Sequence, residues 1–256
     1  MIPKIIHYCW FGRNPLPELA QRCIASWRNF LPDYEIREWN EDNFDVNSIP
    51  YTAEAYRQKK YAFVSDYARF WIMYHYGGLY FDTDVEIICP MDDIIERGCF
   101  MGFEVDPDGK NTPGKYAPRY TFAVNPGLGT GFSKGHPFLQ KMMKLYATLT
   151  FQDAEMNPWL KTIVAYTTEA LMEEGLKNVK GIQQVGDITV YPHEFFAPIN
   201  VISGKLHVTP NTHTIHHYMG SWDIKNHSIK DVIRNIMPEW VFFLNNRIKR
   251  RKYRIK

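Results

Sequence analysis

Metal-chelating and disulfide-forming cysteine spacings are missing from this chain. Its four cysteines, Cys9, Cys23, Cys89 and Cys99, stand apart among apolar neighbours with no CxxC pair, so buried free thiols are expected rather than a zinc or disulfide framework. No uncharged stretch approaches the roughly 20 apolar residues that span a bilayer. The opening MIPKIIHYCW has neither the charged region nor the long apolar region of a secretion signal, and a cytoplasmic location is the expectation. Internal repeats and low-complexity segments are absent as well, which favours a single domain. Acid is missing only at the far end, where the last twelve residues hold seven bases, from Arg247 to Lys256, and no acid. Without those bases the net charge of +2 turns negative, and a mildly acidic body argues against nucleic acid as a partner.

What is present suffices for one large α/β domain, since 45% of the 256 residues are hydrophobic and can bury a substantial core. Ile2 to Tyr8 reads as a buried strand, with Pro3 near its start where a missing donor is tolerated. Phe11 to Pro15 breaks it, and Leu16 to Phe30 repeats apolar residues at Leu19, Cys23, Ile24 and Trp27 with helical spacing. Tyr34 to Trp39 then alternates as a second strand. Strand, helix, strand in that order predicts parallel pairing through a crossover helix.

The stretch from Tyr61 to Pro90 concentrates the chemistry. Its helix is apolar all round and hence buried, yet carries Asp66 and Arg69, three apart on one face, where neither charge can be buried alone. They either satisfy each other as an internal ion pair or face a ligand, and the second is expected because an acidic turn follows one helix length later. Gly77-Gly78 stops the helix. Leu79 to Phe81 reads as a short strand, Asp82-Thr83-Asp84 as a turn at its carboxyl end, and Val85 to Ile88 as a further strand. Ligands of open α/β sheets sit outside the carboxyl ends of strands. Two carboxylates one residue apart can converge on a hard divalent cation that keeps positions open for phosphate oxygens.

Further along, Cys99 to Glu104 reads as a strand, and Pro107 to Pro118 as a polar loop rich in proline and glycine. The segment Asn125-Pro-Gly-Leu-Gly-Thr-Gly131 lacks the lysine of a phosphate-cradling loop, and is expected to bring backbone close to a sugar or acceptor. Helices are predicted over His136 to Thr150 and Trp159 to Leu176, and a strand over Ile182 to Val190. The aromatic Tyr191 to Phe196 either lines a cleft or fills a corner of the core. Thr212 to Tyr218 alternates as a strand, so the adjacent His216 and His217 face opposite ways and only one of them can meet a metal. Ile229 to Leu244 reads as a helix whose aromatic end adjoins the basic tail, a combination suited to an anionic membrane surface.

The segment SDYARFWIMYHYGGLYFDTDVE, with IPKIIHYCWFG before it, resembles the glycosyltransferases that carry the DxD sugar-binding region, a family that includes yeast initiating mannosyltransferases and bacterial capsule and lipopolysaccharide enzymes. The resemblance covers roughly residues 1–95, with echoes near 120–138 and 213–222. The spacing of Asp66, Arg69, Tyr80, Asp82 and Asp84 is also similar to that in the glucosylating domains of large clostridial toxins. The resemblance implies a GT-A-like α/β domain over residues 1–238, with a mixed, mainly parallel central sheet flanked by helices. Within it, residues 1–104 would be the nucleotide-sugar-binding half and 105–238 the acceptor-side half, followed by an aromatic and basic tail at 239–256.

The same resemblance implies roles. Trp10 would stack on the base, Tyr80 and Asp82 would meet ribose and diphosphate, and Asp66 and Arg69 would bind hydroxyls of the donor sugar. Asp84, with Asp82, would hold Mn2+ or Mg2+, and Asn43 would be a further nucleoside contact. HHYMGSW looks like the C-terminal metal and diphosphate motif of related retaining enzymes, which puts His217 on the metal and Trp222 near the scissile bond. Asp82, Asp84 and Trp222 are then the expected catalytic residues. The implied reaction is a metal-dependent, retaining hexose transfer from a UDP-sugar to a glycan or lipid-linked acceptor in surface polysaccharide synthesis, at the inner face of the cell membrane. A metal-dependent phosphohydrolase would want further acids or a histidine cluster beside Asp82 and Asp84, and leaves Trp10 unexplained. A non-catalytic nucleotide-sugar-binding module would use the same residues without turnover.

Overall fold

The opening apolar run forms β1 (Ile5–Cys9), and the helix after it, α1 (Glu18–Phe30), buries Ala20, Cys23, Ile24 and Trp27 along one stripe. β2 (Glu35–Trp39) returns parallel to β1, in register from Ile5 opposite Glu35 to Cys9 opposite Trp39, as the strand-helix-strand pattern predicts. The computed structural model describes residues 1–108, 122–151, 162–200 and 204–219, all within one compact unit that ends at Met219. Trp222, the helix expected over Ile229 to Leu244, the tail at 239–256 and most of the polar loop after Val105 lie outside the described residues.

α2 (Pro50–Arg57) is too short to show a clear period in sequence. It starts on a proline, whose missing N–H would be unpaired at a helix start in any case, and packs against α3 (Tyr61–Tyr76). α3 ends where Gly77 (φ 65°) and Gly78 (φ 112°) reverse the chain. Gly78 is required twice over, because a β-carbon there would also lie 2.5 Å from the Ile5 carbonyl oxygen. That closeness lets β3 (Gly78–Tyr80) run parallel beside β1. His7 fastens the corner: its Nε2 bonds the Gly77 carbonyl at 2.8 Å while Nδ1 accepts from Trp39 Nε1 at 3.0 Å. Burial lowers its pKa to about 4, so it stays neutral with both nitrogens committed.

After β4 (Val85–Ile87) and α4 (Asp92–Ile95) come β5 (Phe100–Val105), β6 (Ala123–Val124) and β7 (Thr130–Phe132). Then follow α5 (Pro137–Ala147), the helix Ile163–Glu173, β8 (Gln183–Val185) and β9 (Ile188–Tyr191). β10 (Ile199–Asn200) pairs with β11 (Lys205–Leu206), and β12 (Thr214–His216) pairs antiparallel with β4. The main sheet runs β2-β1-β3-β7-β5-β9-β8, with β6 on β5. β2, β1, β3, β5 and β9 share one direction and β7 and β8 oppose it, which gives the mixed, mainly parallel sheet that was expected.

Side chains alternate between two cores, one on each face. Cys9, Tyr80 and Met101 join α2, α3, α5 and the helix Ile163–Glu173 on one side, while Ile6, Tyr8, Leu79, Phe81 and Phe100 join α1, β4 and α4 on the other. The expected strand over Ile182 to Val190 is instead the β8-β9 hairpin, because Gly186 (φ 58°) turns the chain in its middle. The glycine-rich stretch holds β7, which fills the centre of the sheet between β3 and β5. All four cysteines are free. Among the described residues no helix is long and apolar enough to cross a membrane.

Candidate active site

The carboxyl ends of the co-directional strands share one edge of the sheet, and the acidic turn lies there. The Val85 N–H donates to the Asp82 carbonyl at 3.0 Å, which closes the turn over Asp82-Thr83-Asp84, and the Asp82 N–H donates to the Gly127 carbonyl at 3.0 Å. The segment after β6 therefore presses its backbone on the first aspartate. A β-carbon at Gly127 would fall 2.0 Å from Asp82 Oδ2 and 2.8 Å from Arg69 Nη1, so only glycine fits. The side chain of Asn125 holds this loop by accepting the Gly127 N–H at 2.7 Å.

Asp66 and Arg69 do pair, with Arg69 Nη2 3.3 Å from Asp66 Oδ1, but the same nitrogen also lies 3.2 Å from Asp82 Oδ1. The guanidinium carbon lies over the Tyr80 ring, 4.8 Å from its centroid, and Tyr80 Oη donates to Asp82 Oδ1 at 3.1 Å. Of the two alternatives for this helix face, the ion pair is the one seen, and it continues into the acidic turn. Burial raises the Asp66 pKa to about 7 despite the opposing Arg69 charge. Asp82 is also raised by burial, against the pull of Arg69.

Asp84 differs sharply. Burial alone would raise it, yet His216 and the Met219 N–H hold its pKa down to about 2. His216 Nε2 is 3.2 Å from Asp84 Oδ1, and the Met219 N–H donates to Oδ2 at 2.8 Å. Burial disfavours the imidazolium, but Asp84 outweighs it and lifts His216 to about 8. The other ring nitrogen, Nδ1, is buried with no hydrogen-bond partner among the described residues.

The histidine expected on the metal was His217, whereas the histidine beside Asp84 in the structure is His216. Of the two neighbours, β12 turns His216 to Asp84 and sends His217 to the other face, where its Nε2 meets Glu86 at 2.8 Å. The two-residue period of the strand required one of the pair to face away. Which one was set by the β4-β12 register, in which His216 lies opposite Val85.

Glu104, near the end of β5, was missed. It is a half-buried carboxylate whose pKa is raised by desolvation, close enough to His216 and Asp82 to feel both, with Asn125 and Tyr218 beside it. No short spacing announces it, since 20 residues separate it from Asp84 and only the adjacency of strands brings them together. Trp10 follows β1 directly, at the same edge, with its Nε1 donating to the Asn14 carbonyl at 2.6 Å. Asn43 is committed to its own turn, accepting from the Asn40 N–H and donating to the Glu38 carbonyl.

A divalent ion suits the acidic turn on its chemistry. Asp84 is ionised, and His216 offers a second donor atom 3.2 Å away, a ligand separation compatible with metal–ligand bonds of about 2.1 Å. The orphaned Nδ1 is then the nitrogen that keeps its proton, as a metal-bound imidazole requires. A second cluster, Cys99, His136 and Asp187, brings one donor atom from each within 4.8 Å, at the opposite edge where β5 and β9 begin. There His136 Nδ1 accepts the Phe138 N–H at 3.2 Å and caps α5. Its Nε2 must therefore carry the proton that it shares with Asp187 at 2.9 Å, which makes this cluster a helix cap and not a metal site.

Part of the chain is similar to known proteins. Residues 17–101 match the family model of the glycosyltransferase sugar-binding region containing the DXD motif. Inositol phosphoceramide mannosyltransferase 3 of Schizosaccharomyces pombe is 29% identical over 147 residues, 56% of this chain and 36% of that protein; the chain thus spans about a third of that relative. Initiation-specific alpha-1,6-mannosyltransferase of Candida albicans is 23% identical over 279 aligned positions, covering 86% of this chain and 72% of that protein. Among solved structures, PaToxG glycosyltransferase superposes with a TM-score of 0.49 at 19% identity, over 68% of this chain and 70% of that one. Asp66, Arg69, Tyr80, Asp82 and Asp84 all fall inside the span that matches the sugar-binding region of the DXD glycosyltransferases.

Proposed function

We propose that this chain is a GT-A-like, metal-dependent hexosyltransferase that takes its sugar from a nucleoside diphosphate donor and passes it, with retained anomeric configuration, to a glycan or lipid-linked acceptor. The observation that carries the reading is the continuous charge arrangement at the carboxyl edge, Asp66-Arg69-Asp82 joined through the turn to Asp84-His216. The names of both mannosyltransferase relatives favour mannose as the hexose. Uridine remains the base expected from the resemblance to toxin domains, and Trp10 beside the turn is the surface for it.

Asp84 and His216 would hold Mn2+ or Mg2+, and Asp82 would approach it through the same turn. The ion, when bound, supplies positive charge beside the diphosphate as the bond to the anomeric carbon breaks. Arg69 and Asp66 would take donor-sugar hydroxyls, with Arg69 also countering charge at Asp82. Gly127 and Asn125 close the back of the cleft with backbone that no side chain obstructs. The acceptor hydroxyl attacks on the face the diphosphate leaves, its proton passes to a diphosphate oxygen, and the nucleoside diphosphate departs. The basic tail would hold the chain at the inner face of the cell membrane for surface glycan assembly, and Trp222 would approach the scissile bond from beyond the described residues.

The test is incubation with manganese and a panel of UDP-glucose, UDP-galactose, UDP-N-acetylglucosamine and GDP-mannose. One donor should release nucleoside diphosphate. Release of inorganic phosphate would favour a phosphohydrolase, and binding without turnover a recognition module. The NMR-assigned anomeric configuration of the product decides retention, and sedimentation with anionic vesicles, before and after deleting residues 239–256, decides the role of the tail.

A further inference from the structure

Beside the carboxyl end of β9 the chain forms a cleft of about 360 Å³, within the usual range of small-molecule sites. Pro192 and the aromatic rings of Tyr191 and Phe195 line it, and Arg97, Asp93 and Asn211 carry its polar groups. It takes no residue from the acidic turn. In the sheet order β9 is three places from β3, about 14 Å at the usual strand spacing, so the cleft lies well along from Asp82.

The walls are held in place. Asp106, just past β5, accepts the His193 N–H at 2.7 Å and also meets the imidazole, tying the turn at His193–Phe195 to the sheet. The His213 ring stacks on Phe195 with a 4° interplanar angle and bonds Asp93 at 3.0 Å, and Asn211 Nδ2 donates to Glu194 at 2.9 Å. One group is left over. The Tyr191 hydroxyl is buried, on a residue only 1% exposed, and makes no hydrogen bond of good geometry to any described residue. The Arg97 guanidinium lies beside it. Arg97 is within reach of it but does not satisfy it, and a ligand hydroxyl that bridges the two would complete the pairing.

The charge balance narrows the ligand. Two carboxylates, Asp93 and Glu194, face one guanidinium, which disfavours phosphates and other anions. The carboxylates already serve His213 and Asn211, so they do not form an open cation site. Aromatic and proline surface, flanked by a guanidinium, an amide, carboxylates and a phenol, matches a neutral polyol ring with one apolar face and hydroxyls around its rim.

We infer that this cleft is an auxiliary saccharide subsite that holds a sugar ring of a glycan away from the bond being made. The choice of a glycan rests on the transferase reading; the cleft itself does not. Saturation-transfer NMR on the full chain, with methyl glycosides of mannose, glucose and galactose and their disaccharides and with neither metal nor nucleotide sugar present, tests it. At least one sugar should receive saturation at its ring protons. Tyr191→Phe and the exposed Arg97→Ala should each weaken that binding about fivefold, the size of one lost hydrogen bond. No transfer to any of the sugars overturns the inference, and so does transfer that both variants leave unchanged, since the sugar would then occupy another site. Donor turnover is measured separately, so failure here leaves the transferase reading standing, and failure of turnover leaves the binding result intact.

Discussion

His216 and His136 look alike in a list of contacts, each with Nε2 about 3 Å from an aspartate oxygen. Their second nitrogens separate them. His136 gives Nδ1 to a helix N-terminus and faces an exposed acid, so its proton has a fixed place and its role ends with the cap. His216 has Nδ1 unpartnered and faces an acid that is itself buried, with Glu104 and Asp82 around it. The lesson is that a histidine–carboxylate contact becomes a candidate metal site through what the rest of the ring does.

Substitution of the two acids gives the largest contrast. Asp84→Asn should lower donor turnover by about 10²–10³-fold, the scale of removing one transition-state electrostatic group, while Asp187→Asn should stay within about twofold. Nucleoside diphosphate release measures both, and equal losses would erase the distinction. The histidines come next. His216→Ala should weaken manganese binding by about 10- to 100-fold, the loss known even for partners of metal ligands. His136→Ala should leave metal binding alone and cost about 1 kcal/mol of stability as a lost helix cap, read from urea midpoints.

The pH dependence of the metal-free chain is a finer probe. His216 is raised from 6.5 to about 8, so its stabilisation is complete below pH 6.5 and disappears as pH rises through 8. Asp84 is lowered from 3.8 to about 2, so its stabilisation is complete above pH 3.8 and disappears as pH falls through 2. Between those limits the pair contributes fully. Urea midpoints with chelator present should fall between pH 6.5 and 8 in the wild type and flatten there in His216→Gln; an unchanged profile would break the pairing. The smallest effect is reserved for His217→Ala, which breaks a half-exposed contact with Glu86. It should cost no more than about 1 kcal/mol and leave metal affinity unchanged. A loss of metal binding there would return His217 to the site.

Much of this arrangement was legible in sequence because it is local. Asp66 and Arg69 share a helix face by their three-residue spacing, Gly77-Gly78 stops that helix, and Asp82 and Asp84 follow a strand so short that the turn must lie at its end. Trp10 was singled out by the resemblance alone, and the structure puts it directly after β1. Glu104 and Gly127 were not legible, because neither has a neighbour in sequence that explains it. Each matters only through the strand or loop laid beside the turn. The hairpin at Gly186 escaped notice because its two strands, of three and four residues, are too short to show a period on either side of Gly186-Asp187.

The amino-acid sequence by itself therefore determined the helix, glycine stop and acidic turn between Tyr61 and Pro90, and the requirement that one of His216 and His217 face away from that turn. Only the tertiary structure decided which one. That choice depends on the register of β12 against β4, and a shift of one residue in a strand exchanges every side chain between faces. No property of two adjacent histidines encodes the register; the buried partners on the facing strand do.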